Sequence, residues 1–226
     1  MDARETMIRE IERDARETAS CTGRAVLAAP VLAALRKVRR AGFVPEADER
    51  SAWLNRPLSI GHGQTISQPF VVALMTDLLD LAPDHRVLEV GTGSGYQAAV
   101  LAELAGEVFS VEIVPALAER ARLALAREGY GRVRLRAGDG ARGWPEQAPF
   151  DAVVVTAAAP AIPPDLVAQL RPGGRMVIPV GDPGGEQSLV VLRKAADGAV
   201  TRETVLGVSF VPLTGGRAFP RDSGTA

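Results

Sequence analysis

Residues 5–20 place Ile8, Ile11, Ala15 and Ala19 at steps of three and four, the spacing of one helix face. The next apolar run, VLAALRKVRR, follows Pro30, which opens a helix where the missing N–H costs nothing. From Gly42 to Pro57 no period holds and the stretch reads as turns. PFVVALMTDLLDL (69–81) has proline at its head and apolar residues on most faces, which predicts a buried helix.

From Arg86 onward the rhythm alternates. RVLEV, EVFSVE, VRLRA, FDAVVVTA and RMVIPV read as strands. Between them, SGYQAAVLAELAG, a run from Pro115 to about Glu128, and a short piece from Pro163/Pro164 to Leu170 read as helices, with RPGG as a turn. Strands separated by such helices form βαβ units, hence a mostly parallel sheet covered on both faces. After Val180 the helices stop. SLVVLRK and VTRETVLGVSFV are joined by a link containing Asp197-Gly198, a hairpin signal that predicts antiparallel pairing at the C-terminal edge. The expectation is a doubly wound α/β domain: a core over 83–214, an N-terminal helical appendage over 1–82, and a loosely held tail over 215–226.

Composition narrows the class. Lys and Arg total 26 against 27 Asp and Glu, so no global field favours nucleic acid or an anionic membrane. The cluster Arg36, Lys37, Arg39 and Arg40 reads as a solvated helix end, with acidic Glu46, Asp48 and Glu49 close behind. Cys21 is the only cysteine, which excludes an intrachain disulfide and a cysteine-based metal site, and no metal is expected. The charged N-terminus lacks an apolar signal-peptide core, and no stretch approaches a membrane span, so a cytoplasmic protein is expected. No exposed apolar helix stands out, so a monomer is expected.

The candidate chemistry begins at VLEVGTGSGY (87–96), where Gly91, Gly93 and Gly95 follow the first core strand. Open α/β sheets bind ligands at this place. A phosphate loop would need G-x-x-x-x-G-K-[ST], which is not present, and the dinucleotide fingerprint G-x-G-x-x-G is replaced by G-x-G-x-G. Three acids follow the strand ends. Glu89 precedes the first glycine and is expected to face the ligand. Glu112 ends the second strand, where a carboxylate accepts hydrogen bonds from ribose hydroxyls. Asp139 follows the third, at the level of an adenine amino group. Acids at these places suit S-adenosyl-L-methionine (AdoMet), a nucleoside bearing a sulfonium and no phosphate, better than NAD.

Upstream lies SIGHGQTISQP (59–69), read as an acceptor loop folded over the cofactor. Together with FVPE (43–46), GDG (138–140), PFDAVVVTAAAP (149–160), LRPGGRMVIPVG (170–181) and FVPLT (210–214), it resembles the protein-L-isoaspartate (D-aspartate) O-methyltransferases from about Val31 to Thr214. The glycine turn is common to many methyltransferases; the QTISQP loop with FVPLT is particular to this family. The resemblance implies a seven-stranded methyltransferase sheet of Rossmann-like type with an antiparallel sixth strand. It implies Ser67 as the active-site serine, with Thr65 and Ile66 at the junction of cofactor and acceptor. It places AdoMet, and the product S-adenosyl-L-homocysteine, on Gly91, Gly93, Glu112, Asp139, Gly140 and Thr214, and Thr92, Ser94 and Gly95 of the same turn join that set. His62 and Gln64 complete the acceptor side. The implied partners are flexible or unfolded peptides carrying isoaspartyl residues.

That chemistry asks for no general base, because a carboxylate acceptor is already ionised at neutral pH. His62 and His85 are the only histidines; His62 reads more simply as a loop residue bonded to backbone, and His85 as a surface residue. Trp53 and Trp144 read as packing anchors, while Tyr96 is equally a ligand neighbour or a buried side chain. Other acceptors on the same fold, a nicotinamide oxidoreductase, and a non-catalytic AdoMet-binding module are the competing readings.

Overall fold

The computed structural model describes residues 2–182 and 184–215; of the expected tail, 216–226 lie outside them. Helix α1 (Ala3–Glu17) is capped by Asp2, whose carboxylate accepts the Arg4 N–H at 3.0 Å, and buries Met7, Ile8, Ile11 and Ala15. It stops earlier than its apolar spacing predicts. The Thr18 hydroxyl bonds the Asp14 carbonyl at 2.8 Å, and a separate turn, α2 (Ala19–Thr22), runs to left-handed Gly23. Helices α3 (Ala29–Lys37) and α4 (Pro69–Leu78) each carry proline in the first turn. Between them, residues 40–43 and 46–51 form 3₁₀ turns.

The acceptor segment is not a loop but a hairpin of β1 (Leu58–Gly61) and β2 (Gln64–Ile66). His62 and Gly63 both have positive φ, 54° and 67°, as a type I′ turn requires.

The core runs β3 (Arg86–Val90), α5 (Tyr96–Ala102), β4 (Glu107–Glu112), α6 (Pro115–Arg127), β5 (Arg134–Ala137), β6 (Phe150–Val155), α7 (Pro164–Gln169), β7 (Leu170–Gly181), β8 (Gln187–Lys194) and β9 (Val200–Val208). Its seven strands lie in the order β5-β4-β3-β6-β7-β8-β9. All neighbours are parallel up to β7, and β8 runs antiparallel to both β7 and β9. The RPGG stretch lies inside β7, where the register slips between Phe150↔Leu170 and Ala152↔Arg175. The β8–β9 turn is closed by Ala195 N–H to Ala199 carbonyl at 2.7 Å, with Gly198 at φ 87°.

Alternate residues of the central strands feed two cores. Val87, Val108, Ala152 and Val154 pack with α1, α3, α4 and α5, while Leu88, Val90, Phe109, Val153 and Val155 pack with Trp144 and Leu166 on the other face. The N-terminal helices therefore belong to the same hydrophobic cluster as one face of the sheet. Trp53 supports this layer under the Arg4 guanidinium, 4.7 Å from its ring centre, and Trp144 packs edge-on to Phe109 at 5.7 Å. Both are the packing anchors expected.

Candidate active site

The sheet order reverses direction at β3, with β4 on one side and β6 on the other, and a cleft opens at the carboxyl ends of these strands. Its floor is the β3–α5 turn, where Gly91, Gly93 and Gly95 have φ of 93°, 55° and 91°. At Gly91 close approach adds a second constraint, since a Cβ would lie 2.4 Å from Thr156 Oγ1. That hydroxyl donates to the Gly91 carbonyl at 2.6 Å, tying the turn to the end of β6.

Glu112, the last residue of β4, is buried and lines the cleft. Its Oε2 accepts the Gly93 N–H at 2.7 Å and its Oε1 the Val114 N–H at 2.9 Å. Each oxygen keeps further lone-pair capacity, so the carboxylate is fixed in place and still able to accept from a diol. Gly140 forms part of the wall, where a Cβ would meet Val90 Cγ1 at 2.4 Å. These features fit AdoMet: an acceptor for ribose hydroxyls and a turn bare of side chains.

Two expected acids stand elsewhere. Asp139 stands beside the cleft; its Oδ1 accepts the Ala141 N–H at 3.0 Å and caps the short 140–142 turn. Glu89 lies beneath the glycine turn rather than on the cleft wall. Strand alternation puts it on the helix-covered face with Val87, fully buried. Its Oε2 takes a short hydrogen bond from the Ser110 hydroxyl, which lies 2.5 Å from Thr92 Oγ1, while Oε1 has no partner among the described residues. Burial pushes the Glu89 carboxyl up to about 8, the Ser110 hydrogen bond opposes this, and the Glu112 charge adds to it. Glu89 thus supports the turn from below through Ser110 and Thr92.

The β1–β2 hairpin closes the cleft from the other side. Arg120 on α6 donates to the Ile60 carbonyl at 2.8 Å and anchors it. Gln64, Thr65, Ile66 and Ser67 line the cleft, and Thr65 and Ser67 also line an adjoining groove of about 730 Å³. The Ser67 hydroxyl is engaged by no other group among the described residues. His62 stands exposed at the hairpin tip, away from both spaces. His85 Nδ1 accepts the Ala82 N–H at 3.1 Å.

The chain after β9 doubles back over β6. Ala158 N–H donates to Val211 O at 2.8 Å and Leu213 N–H to Ala158 O at 2.7 Å, while the Gln187 amide brackets Phe210 at 2.6 and 3.1 Å. This lays Val211–Thr214 along the cleft.

Of the expected cofactor set, Thr65, Ile66, Gly91, Thr92, Gly93, Ser94, Glu112, Gly140 and Thr214 meet at one cleft, and Glu89, Gly95 and Asp139 lie behind or beside it. Tyr96 is both buried and on the cleft wall. Thr156, Ser110 and Arg120 were not expected. A lone hydroxyl in an apolar strand carries no periodic signal; for Thr156, its place after a strand's carboxyl end was the one available clue.

The basic cluster also differs from its reading. Arg36, Lys37 and Arg39 pair with Glu5, Glu103 and Glu128 at 3.0, 2.7 and 2.6 Å. Arg40 is not solvated: it is fully buried, because three backbone carbonyls, two from the 52–56 stretch and one from Ser67, converge on its guanidinium.

Comparison with known proteins agrees with this geometry. A family model described as protein-L-isoaspartate(D-aspartate) O-methyltransferase matches residues 20–218. A Syntrophobacter fumaroxidans protein named protein-L-isoaspartate O-methyltransferase 2 is 55% identical over 214 residues, 95% of this chain and 87% of its own. A solved protein-L-isoaspartate O-methyltransferase superposes with a TM-score of 0.81 at 27% identity, over 95% of this chain and 67% of that one. A Plasmodium falciparum β-aspartate methyltransferase in complex with S-adenosyl-L-homocysteine, 22% identical, shares the fold at a TM-score of 0.78 over 95% and 99% of the two chains. With a family model spanning most of its length and a relative this close, the chain belongs to the protein-L-isoaspartate(D-aspartate) O-methyltransferase family.

Proposed function

We propose that the chain transfers a methyl group from AdoMet to the free carboxylate of L-isoaspartyl and D-aspartyl residues in damaged proteins, the reaction of its family. The observation that carries this reading is the shared wall: Thr65 and Ser67 belong at once to the glycine-floored cleft and to the groove beside it. A methyl donor in the first and an extended peptide in the second would meet at these two residues.

When bound, AdoMet supplies an electrophilic methyl on a sulfonium. The protein's residues then have three tasks. Glu112 and the 91–95 turn hold the nucleoside. Ser67, whose hydroxyl has no partner among the described residues, donates to the acceptor carboxylate and orients it without neutralising it. The hairpin and the 211–214 segment exclude water, which otherwise solvates the carboxylate and weakens it as a nucleophile. Positioning of this kind supplies up to about 7–11 kcal/mol. No base is required, consistent with the exposed, remote place of His62.

The methyl ester has a better leaving group than the acid. A neighbouring backbone amide closes a succinimide and expels methanol, and hydrolysis of the ring returns part of the residue as normal aspartate. The acceptor must be a flexible or unfolded segment, since the kinked residue enters an open groove. We read the protein as a monomer acting in the cytoplasm, without nucleic acid or membrane. A near-balanced charge, a single cysteine, and no described helix long and apolar enough to cross a membrane support this.

The test is the lability of the product. Methyl label transferred to an aged, isoaspartate-rich protein should leave as methanol in mild base. Label that survives base belongs to an N-methyl group or a methylated nucleotide and would overturn the reading.

A further inference from the structure

Arg40 is the one cation of the 36–40 cluster that pairs with no acid among the described residues. Its Nη1 donates to the Ala52 carbonyl at 2.5 Å, and its Nη2 to the Arg56 and Ser67 carbonyls at 3.1 and 3.0 Å. The guanidinium carbon lies 5.7 Å from the centre of the Tyr96 ring, itself part of the cleft wall. Its neighbours Arg36, Lys37 and Arg39 each hold a glutamate, whereas among the described residues no carboxylate pairs with Arg40.

A tie between three carbonyls needs donors, not charge. Burying a full cation is costly where no anion compensates it. Desolvation pulls its pKa down, to about 10, which still leaves it charged at neutral pH. The charge lies one hydrogen bond from the backbone of Ser67, in an interior where Coulomb interactions fall off slowly.

We infer that Arg40 is a positioning and specificity-determining residue for the acceptor: it sets the Ser67 backbone, and its uncompensated charge biases the groove toward a carboxylate over a neutral group of the same shape. This rests on the methyl-transfer reading above and deepens it. The charge distinguishes the two ends of the reaction, because the acceptor is an anion and the methyl ester is neutral. Arg40 thereby favours substrate entry and ester release. Because the carboxylate loses its charge as the new bond forms, this attraction is stronger before transfer than during it. Loss of the charge therefore raises KM for the peptide without lowering kcat, and any fall in kcat reports the loosened Ser67 backbone instead.

The experiment compares two peptides, identical except that the isoaspartyl branch ends in a carboxylate or in the carboxamide of the same shape. Binding is measured by calorimetry with S-adenosyl-L-homocysteine present, so that no turnover occurs. The wild type should prefer the carboxylate by about tenfold or more, Arg40→Met should lose most of that ratio while still binding S-adenosyl-L-homocysteine, and Arg40→Lys should keep it. Equal binding of the two peptides by the wild type would overturn the inference. So would an undiminished ratio in a folded Arg40→Met protein. If that variant does not fold, Arg40→Lys decides: the charge remains while the three-carbonyl tie is weakened, so a lost ratio contradicts the inference and a retained ratio supports it. Failure of the underlying reading looks different, since the carboxylate peptide would then accept no methyl from the wild type at all.

Discussion

Glu112 accepts the Gly93 backbone N–H at 2.7 Å, so the acid at the end of β4 holds the glycine turn that follows β3. The same carboxylate takes the Val114 N–H at 2.9 Å, and the two bonds fix its orientation before any ligand arrives. In Glu112→Gln the side-chain nitrogen cannot accept, and one of these backbone donors loses its partner. An unmet bond of this kind costs about 1–3 kcal/mol. AdoMet affinity should fall by about ten- to a hundredfold in calorimetry. An unchanged affinity would place the cofactor elsewhere.

Ser67 separates the two halves of the reaction. Its hydroxyl is engaged by no other group among the described residues, and its wall is shared by cleft and groove. Ser67→Ala should lower turnover by about tenfold or more, the scale of one hydrogen bond to a charged group. AdoMet binding should stay near that of the wild type. An equal loss of cofactor affinity would contradict the orienting role.

The buried Glu89 carboxyl makes stability depend on pH. Its pKa rises from 4.5 to about 8, so the folded protein retains a proton that the unfolded chain releases. Stability therefore falls as pH climbs from 4.5 to about 8 and levels off above that. Glu89→Gln is neutral throughout and should flatten the curve. Between about pH 5 and about pH 9 the variant should gain roughly 1–3 kcal/mol relative to the wild type in urea titrations. Parallel curves would show that Glu89 is ionised in the folded state.

Gly91 combines φ of 93° with a contact that leaves no room for a side chain. Gly91→Ala forces a methyl to within 2.4 Å of Thr156 Oγ1, breaks the tie between the turn and β6, and adds backbone strain of about 1–2 kcal/mol. Thermal unfolding should move down and AdoMet binding weaken together. Wild-type values for both would mean that the turn adapts.

The core was readable because β3, β4 and β6 are continuous apolar runs between helices of ordinary length, and Asp197-Gly198 marks its hairpin plainly. Elements decided by competition with side chains were less so, as where the Thr18 hydroxyl ends α1 early. The β1–β2 hairpin hid among glycines and polar residues; its signal was His62-Gly63 between two short runs. Sequence position marked Glu89 and Asp139 as strand-end acids, but strand alternation buries Glu89 beneath the turn and a local cap engages one oxygen of Asp139. Arg40 was unreadable as buried, because only tertiary structure brings the carbonyls of Ala52, Arg56 and Ser67 to one point.

The central claim is the choice of acceptor. It is tested most directly by initial rates of labelled methyl transfer from AdoMet to two peptides that differ only in aspartyl or isoaspartyl linkage at one residue. Label on the isoaspartyl peptide alone, released as methanol by mild base, is the predicted result. Equal labelling of both, or none on either while AdoMet binds at Glu112, would contradict it.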